Sequence, residues 1–527
     1  MLTALIAIPA FGAVLVALLP RGADALAKWT AFAVSLVVAA LTLVMAIQFD
    51  ANGPRFQFSQ SYWWIQQFGV HWAVGADGVA LVLIGLSVIL VPVVVLASWS
   101  DADRSGASET LEGPLPSGVA GRSHGGETQR SVKTYFALLL SLEAMIIGVF
   151  AATDLFVFYV FFEAMLVPVY FIIGSYGGPQ RSYAAVKFLL FSLFGGLLML
   201  AAVIALYVMS NANSFLMSDL TKANLDVGTA RWLFLGFFIA FAIKAPLVPF
   251  HTWLPDAAGQ SPAGALVLVV GVLDKVGTYG MLRFCLELFP EASRWFTPVV
   301  LTLAVIGIVY GAILAIGQVD LKRLIAYTSI SHFGFIALGI FAMTSQGQSG
   351  ATLYMVNHGF STGALFLIGG FMITRRGSAR IDAYGGVQKV APLLAGAFLI
   401  AGLSGLGLPG LSSFVSEFLV LVGTFTRYKV PAVIGTVGII LAAVYILWMY
   451  QRTMNGPTAE KVTAMPDLSG REIAAVAPIL ALIVALGFFP QPVLDVINPS
   501  VRQTLSRVQM QDPRPTVGRA VQQGEHP

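Results

Sequence analysis

The chain has a single cysteine, Cys285, and charged residues fill only 11% of its 527 positions. One cysteine forms no internal disulfide, and there is no CxxC pair and no cysteine cluster to ligate an iron–sulfur centre. A Gly-rich strand-to-helix turn for a dinucleotide is also missing. The residues therefore carry no redox chemistry of their own. The opening stretch, MLTALIAIPAFGAVLVALLP, has no basic segment and runs longer than the apolar core of a secretory signal, so it reads as an uncleaved first helix. A net charge of +4 and a pI near 9.0 do not point to nucleic acid, because the basic residues mostly sit in short loops between apolar runs.

What fills the chain instead is apolar: 57% hydrophobic residues and a mean hydropathy of +0.82. That composition describes an integral membrane protein. Runs of about 20 apolar residues, enough to cross a hydrocarbon core of roughly 30 Å, recur between Leu2 and Phe489. They predict an all-α fold of about fourteen transmembrane helices, near 2–20, 28–48, 78–98, 134–152, 154–175, 183–209, 232–250, 263–288, 296–317, 323–343, 349–374, 391–426, 432–451 and 472–489. With an even number both termini share a side. The loops carrying Lys133, Arg323, Arg375 and Lys461 are richer in Lys and Arg than the opposite set, which places the termini outside by the positive-inside rule.

Two long polar segments interrupt the spans. Segment 100–133, rich in Gly, Ser and charge, is expected to be a mobile inward loop. Segment 49–76 holds Tyr62, Trp63, Trp64, His71 and Trp72 and reads as a loop pinned at headgroup level by amphipathic aromatics. The tail from Gln491 is polar and is expected on the outer surface.

Two spans carry Pro and Gly beside a charge: FAIKAPLVPFHTWLPDA, with Lys244, and AGLSGLGLPGLSSFVSEF, with Glu417. Proline removes a backbone hydrogen bond and glycine loosens the turn, so both helices should break. These are the seventh and twelfth spans, and an odd offset inverts the second copy relative to the first. Such a pair of broken helices is a signature of inverted repeats built around a working site. The expected division is 1–133 for three helices and the polar loop, 134–288 and 296–451 for two inverted five-helix repeats (helices 4–8 and 9–13), and 472–527 for the last helix and tail.

Depth follows from a rise of 1.5 Å per residue. Counted from the nearest charged or polar end of its span, Lys244 lies ~20 Å in, Glu417 and His332 ~15 Å, Glu163 ~14 Å, and Lys275 and His358 ~12 Å. An ionisable group at that depth is costly and by default belongs to an ion or proton path. At 4 Å and an effective dielectric near 20 a carboxylate attracts an ammonium by ~4 kcal/mol. Movement of Glu163 relative to Lys244 thus decides whether Lys244 keeps its proton. Lys275 and the histidines relay it, and Glu417 takes it and releases it at the exit. Lys187 stands near a helix end, where it either joins the relay or snorkels. Asp77 reads as a helix-start residue, Glu143 as a group pairing within the first repeat, and Asp274 as pointing about 100° from Lys275. The competing readings are static ion pairs, hydrogen-bonded core histidines and a bis-histidine haem site.

The motif around Lys244 resembles the proton-translocating antiporter-like subunits of respiratory complex I, a family shared with multisubunit cation/proton antiporters and membrane hydrogenases. FFEAMLVPVYFIIGSYGG (161–178), QVDLKRLIAYTSISHFGF (318–335), NHGFSTGALFLIGG (357–370) and GLPGLSSFVSEFLVL (407–421) are similar to it too. The resemblance implies that Glu163 and Lys244 are the input pair, Lys275 the central relay and Glu417 the terminal group, with His332 and His358 between or beside them. It implies no cofactor in this chain, with FMN, iron–sulfur clusters and quinone in partner subunits. The implied partners are other membrane subunits of the complex, among them the sister subunits L and N, together with the lipid bilayer of a bacterial cell membrane. The alternative within the same resemblance is a subunit of a stand-alone Na+/H+ antiporter. The chain departs from the family pattern after HTWLPDA, where AGQSPAGALVLVVGVLDKVG replaces a more charged, Thr-containing start, and in the length of 100–133.

Overall fold

A computed structural model describes residues 1–99 and 131–514. The inward loop expected over 100–133 lies almost wholly outside the described residues, as does the end of the tail. Within them, twelve helices are long and apolar enough to cross a membrane. Three shorter apolar helices, Leu2–Leu18, Pro392–Gly405 and Ser412–Phe425, add to these.

Two helices form the centre. The most apolar stretches of Ala263–Leu288 and Ser345–Arg376 are completely buried, whereas those of Arg181–Ser210 and Lys429–Met454 are 39% and 33% buried and face outward. Glycine decides where the central pair crosses. A Cβ on Gly359 would stand 2.8 Å from the Gly271 carbonyl oxygen, so only small residues let these backbones meet.

The breaks fall where proline and glycine predict them. The helix Val227–Lys244 stops at the lysine, and a new one, Trp253–Gln260, starts nine residues on. Pro246 has no N–H for the Ala242 carbonyl, which accepts instead from the Leu247 N–H at 2.9 Å; the Ile243 carbonyl, left without that donor, accepts from the Trp253 indole at 2.8 Å. The twelfth expected span is two helices separated by Leu406–Leu411, with Gly407 at φ +75° and Gly410 at φ +92°. A third break was not expected. The span 154–175 is divided at Met165 into Leu155–Ala164 and Leu166–Tyr176, just after Glu163, because Pro168 cannot bond to the Ala164 carbonyl.

One further expectation is corrected. Segment 49–76 contains an antiparallel hairpin, Gln57–Ile65 paired with Val70–Ala76. Its aromatic-rich strands favour a pleated ribbon, and Gly69 at φ +69° closes the turn. The tail from Gln491 begins as a helix, Gln491–Arg507, which buries Ile497, Val501, Thr504 and Leu505 on one stripe. Its Thr504 hydroxyl donates to Glu287 at 3.0 Å. Glu287 belongs to a buried ionic cluster in which Arg55 donates to it and Arg283 meets Asp77 at 2.7 Å. Asp77 is the helix-start residue expected, accepting from the Ala80 N–H at 3.0 Å.

Candidate functional site

Lys275 stands at the crossing of the two central helices. Lys275 lies one turn beyond Gly271 on its helix, and His358 immediately precedes Gly359 on the other. The lysine Nζ lies 2.6 Å from His358 Nδ1 and donates to the Val270 carbonyl at 2.6 Å. That carbonyl lies within a π-helical turn, Val269–Leu273, and a second such turn, Met281–Cys285, follows Lys275. Wide turns of this kind loosen the backbone ladder and occur often at functional sites. Lys275 and His358 are fully buried.

From His358 the polar groups continue toward the second break. The His358 and His332 rings meet edge-to-face with centroids 5.3 Å apart, and His332 faces the Tyr354 ring at 5.7 Å. Tyr354 Oη donates to Glu417 Oε1, while Tyr445 Oη lies 3.4 Å from His332 Nε2. Glu417 is held against the break itself, for a Cβ on Gly407 would lie 2.1 Å from its Oε2. Asn357 Nδ2 ties the start of the following helix to the centre by donating to the Ser412 carbonyl at 2.7 Å. Because the histidine rings touch each other, no porphyrin fits between them.

On the other side, Lys244 is 1% exposed and its Nζ has no hydrogen-bond partner among the described residues. Aromatic faces surround it, Phe162 at 5.0 Å and Phe188 at 5.6 Å from the ammonium, an arrangement that attracts a cation electrostatically. Glu163 and Asp274 are the carboxylates within charge range of Lys244. Neither forms an ion pair with it within 4.0 Å among the described residues. The Gly195–Gly196 pair of the helix Arg181–Ser210 is what lets the two neighbours close in. Gly195 faces Ala240 and Ile243, while a Cβ on Gly196 would sit 1.7 Å from Glu163 Oε1.

A family description, NADH:quinone oxidoreductase/Mrp antiporter, TM, matches residues 152–445. NADH-quinone oxidoreductase subunit M of Mycobacterium tuberculosis is 52% identical over 527 residues, covering 98% of this chain and 95% of its own length. The chain belongs to the NADH-quinone oxidoreductase subunit M family. The Rhodobacter capsulatus subunit M is 39% identical over 94% of both chains. Among solved structures, a chain of respiratory complex I from Thermus thermophilus superposes with a TM-score of 0.84 at 31% identity, covering 96% of this chain and all of that one. A chain of the Mrp complex from Dietzia, at a TM-score of 0.81 and 20% identity over 97% of this chain, shares the fold.

For a member of this family, the remaining ionisable groups divide plainly. Lys187 donates to Asp256 Oδ2 at 2.6 Å, and Arg323 reaches Asp256 Oδ1 at 3.0 Å, so Lys187 is held in a partly exposed triad at the Trp253–Gln260 helix. Buried His251 lies beside it, edge-on to Tyr310 at 5.1 Å. Glu143 is wholly buried, and both its oxygens lack a hydrogen-bond partner among the described residues; the pairing expected for it is not formed. Sequence reasoning missed Tyr354, Tyr445, Asp256 and Gly196. Tyr354 precedes His358 by four residues on one helix, a spacing that shares a face; the Gly-Gly dipeptide at 195–196 was a packing signal left unused.

Proposed function

We propose that this chain translocates protons as membrane subunit M of an NADH:quinone oxidoreductase, along a mid-membrane row of titratable side chains. The observation that carries the reading is the run of buried groups from Lys275 through His358, His332 and Tyr354 to Glu417. Lys275 hands its proton to His358 Nδ1 when His358 is neutral, and the histidine passes one on from its other nitrogen. Tyr354 and Tyr445 hold the hydrogen-bonded connection to Glu417, which accepts the proton beside the broken helix, where free backbone groups at membrane depth are tolerated next to water.

Glu163 and Lys244 supply the input. Their separation in this structure leaves Lys244 without the ion pair that would fix its proton, so approach of Glu163 acts as the switch. In this reading FMN, the iron–sulfur clusters and the quinone belong to partner subunits, and subunits L and N are neighbours in the bilayer. Residues 134–288 and 296–451 form the inverted repeats, and both termini face outward from a bacterial cell membrane. The runner-up, a stand-alone Na+/H+ antiporter subunit, has support from a likeness of fold, while the identities above 30% are to complex I.

The test uses the intact complex in inverted membrane vesicles. Lys244→Ala and Glu163→Gln should abolish NADH-driven proton uptake and leave NADH oxidation by an artificial acceptor unchanged. Wild-type proton uptake in both variants overturns the pathway.

A further inference from the structure

The pathway just described has lysines on both sides of a gap: Lys244 at the first break and Lys275 at the central crossing. We propose that Asp274 is the proton-carrying residue that joins them, an inference resting on the pathway reading above. Asp274 is fully buried, and both its carboxyl oxygens lack a hydrogen-bond partner among the described residues. A carboxyl whose role was to hold helices together would sit in an ion pair, as Asp77 does with Arg283 at 2.7 Å. Asp274 has no such partner within 4.0 Å among the described residues.

Backbone geometry places it between the two lysines. A Cβ on Gly277 would lie 2.4 Å from the Phe241 carbonyl oxygen and 2.6 Å from the Ala245 N, so the face of the central helix bearing Gly277 packs on the helix end that carries Lys244. Asp274 precedes Gly277 by three residues and shares that face. Its N–H closes the π-helical turn on the Val269 carbonyl at 3.0 Å, which fixes where its side chain leaves the helix. Lys275, the next residue, turns toward His358 on the neighbouring face. Asp274 is also the acidic group within charge range of both lysines.

The transfer balances without any other reactant. The Lys244 ammonium gives a proton to the Asp274 carboxylate, leaving an amine and a carboxylic acid; the acid then protonates the neutral Lys275 amine and returns to carboxylate. Water between each pair would carry the proton over a gap too long for a direct hydrogen bond.

The experiment compares Asp274→Asn, Asp274→Glu and Lys244→Ala in the intact complex, reading NADH-driven proton uptake, artificial-acceptor activity and the infrared difference spectrum. Asp274→Asn should cut uptake at least about tenfold, within the range a positioned acid–base group supplies, with acceptor activity unchanged and Asp274→Glu restoring most of the uptake. A carboxylic-acid carbonyl band sensitive to deuterium should be present in the native complex, shifted in Asp274→Glu and absent in Asp274→Asn. Normal uptake in Asp274→Asn beside a dead Lys244→Ala overturns the role of Asp274 and leaves the pathway standing, whereas normal uptake in Lys244→Ala removes the pathway. Should Asp274→Asn fail to assemble, Asp274→Glu decides: an unmoved carbonyl band overturns the proposal.

Discussion

Gly196 faces the Glu163 carboxylate so closely that a methyl group at position 196 would stand 1.7 Å from Oε1. The glycine therefore shapes the surroundings of Glu163 although it has no side chain. Its helix also carries Gly195 against Ala240 and Ile243, so one dipeptide sets the spacing of Glu163 and the Lys244 helix together.

Gly196→Ala should displace Glu163 and reduce NADH-driven proton uptake about tenfold or more, comparable to loss of an acid–base group, while the complex still assembles. Gly85→Ala is the control, since a Cβ there meets nothing within 4 Å; it should leave uptake unchanged. Equal uptake in the two variants would show that the position of Glu163 does not matter.

Tyr354 and Tyr445 differ in the groups they meet. Tyr354 donates directly to Glu417, whereas the Tyr445 hydroxyl lies 3.4 Å from His332. A hydrogen bond to a charged group contributes roughly 1.5–3 kcal/mol, so Tyr354→Phe should slow turnover-linked pumping about tenfold or more, and Tyr445→Phe less. Proton uptake by vesicles from both variants is the measurement, and a larger loss in Tyr445→Phe would reverse the assignment.

Glu417 is enclosed by Gly407 and Tyr354. Glu417→Lys should retain more pumping than Glu417→Ala, because a lysine still offers a protonatable group at the break. If the two lose activity equally, the site demands a carboxylate that Tyr354 can donate to.

The cluster of Arg55, Asp77, Arg283 and Glu287 stands apart from the row. Arg283→Leu would leave Asp77 and Glu287 buried with one cation fewer, at a cost of ~3–5 kcal/mol. Less assembled complex and faster thermal inactivation are expected, with pumping per assembled complex preserved. Normal assembly would mean that water or Arg55 alone compensates.

Much of the site was legible because charge inside an apolar run is conspicuous. Glu163, Lys244, Lys275, His332, His358 and Glu417 each stand out from neighbours that lipid or packing would accept, and proline and glycine mark both expected breaks. Tyr354 and Gly196 gave no such signal, since a tyrosine or a glycine in a membrane helix is ordinary. The hairpin at 57–76 was read as a loop because its aromatics serve an interfacial anchor and a strand equally well, and the choice rests on cross-strand pairing.

The order of residues by itself determined which titratable groups stand inside apolar runs and where two of the three helix breaks fall, since both follow from composition along the run and from missing backbone donors. Which groups meet was decided by tertiary structure. A π-helical turn before Lys275 alters the phase of its helix, so the directions of Asp274 and Lys275 do not follow by regular 100° steps from the residues that precede that turn. The approach of Gly271 to Gly359 then brings Lys275 onto His358. Close contact between helices is set by small residues on two surfaces at once, and one sequence read along its length shows each surface without its partner.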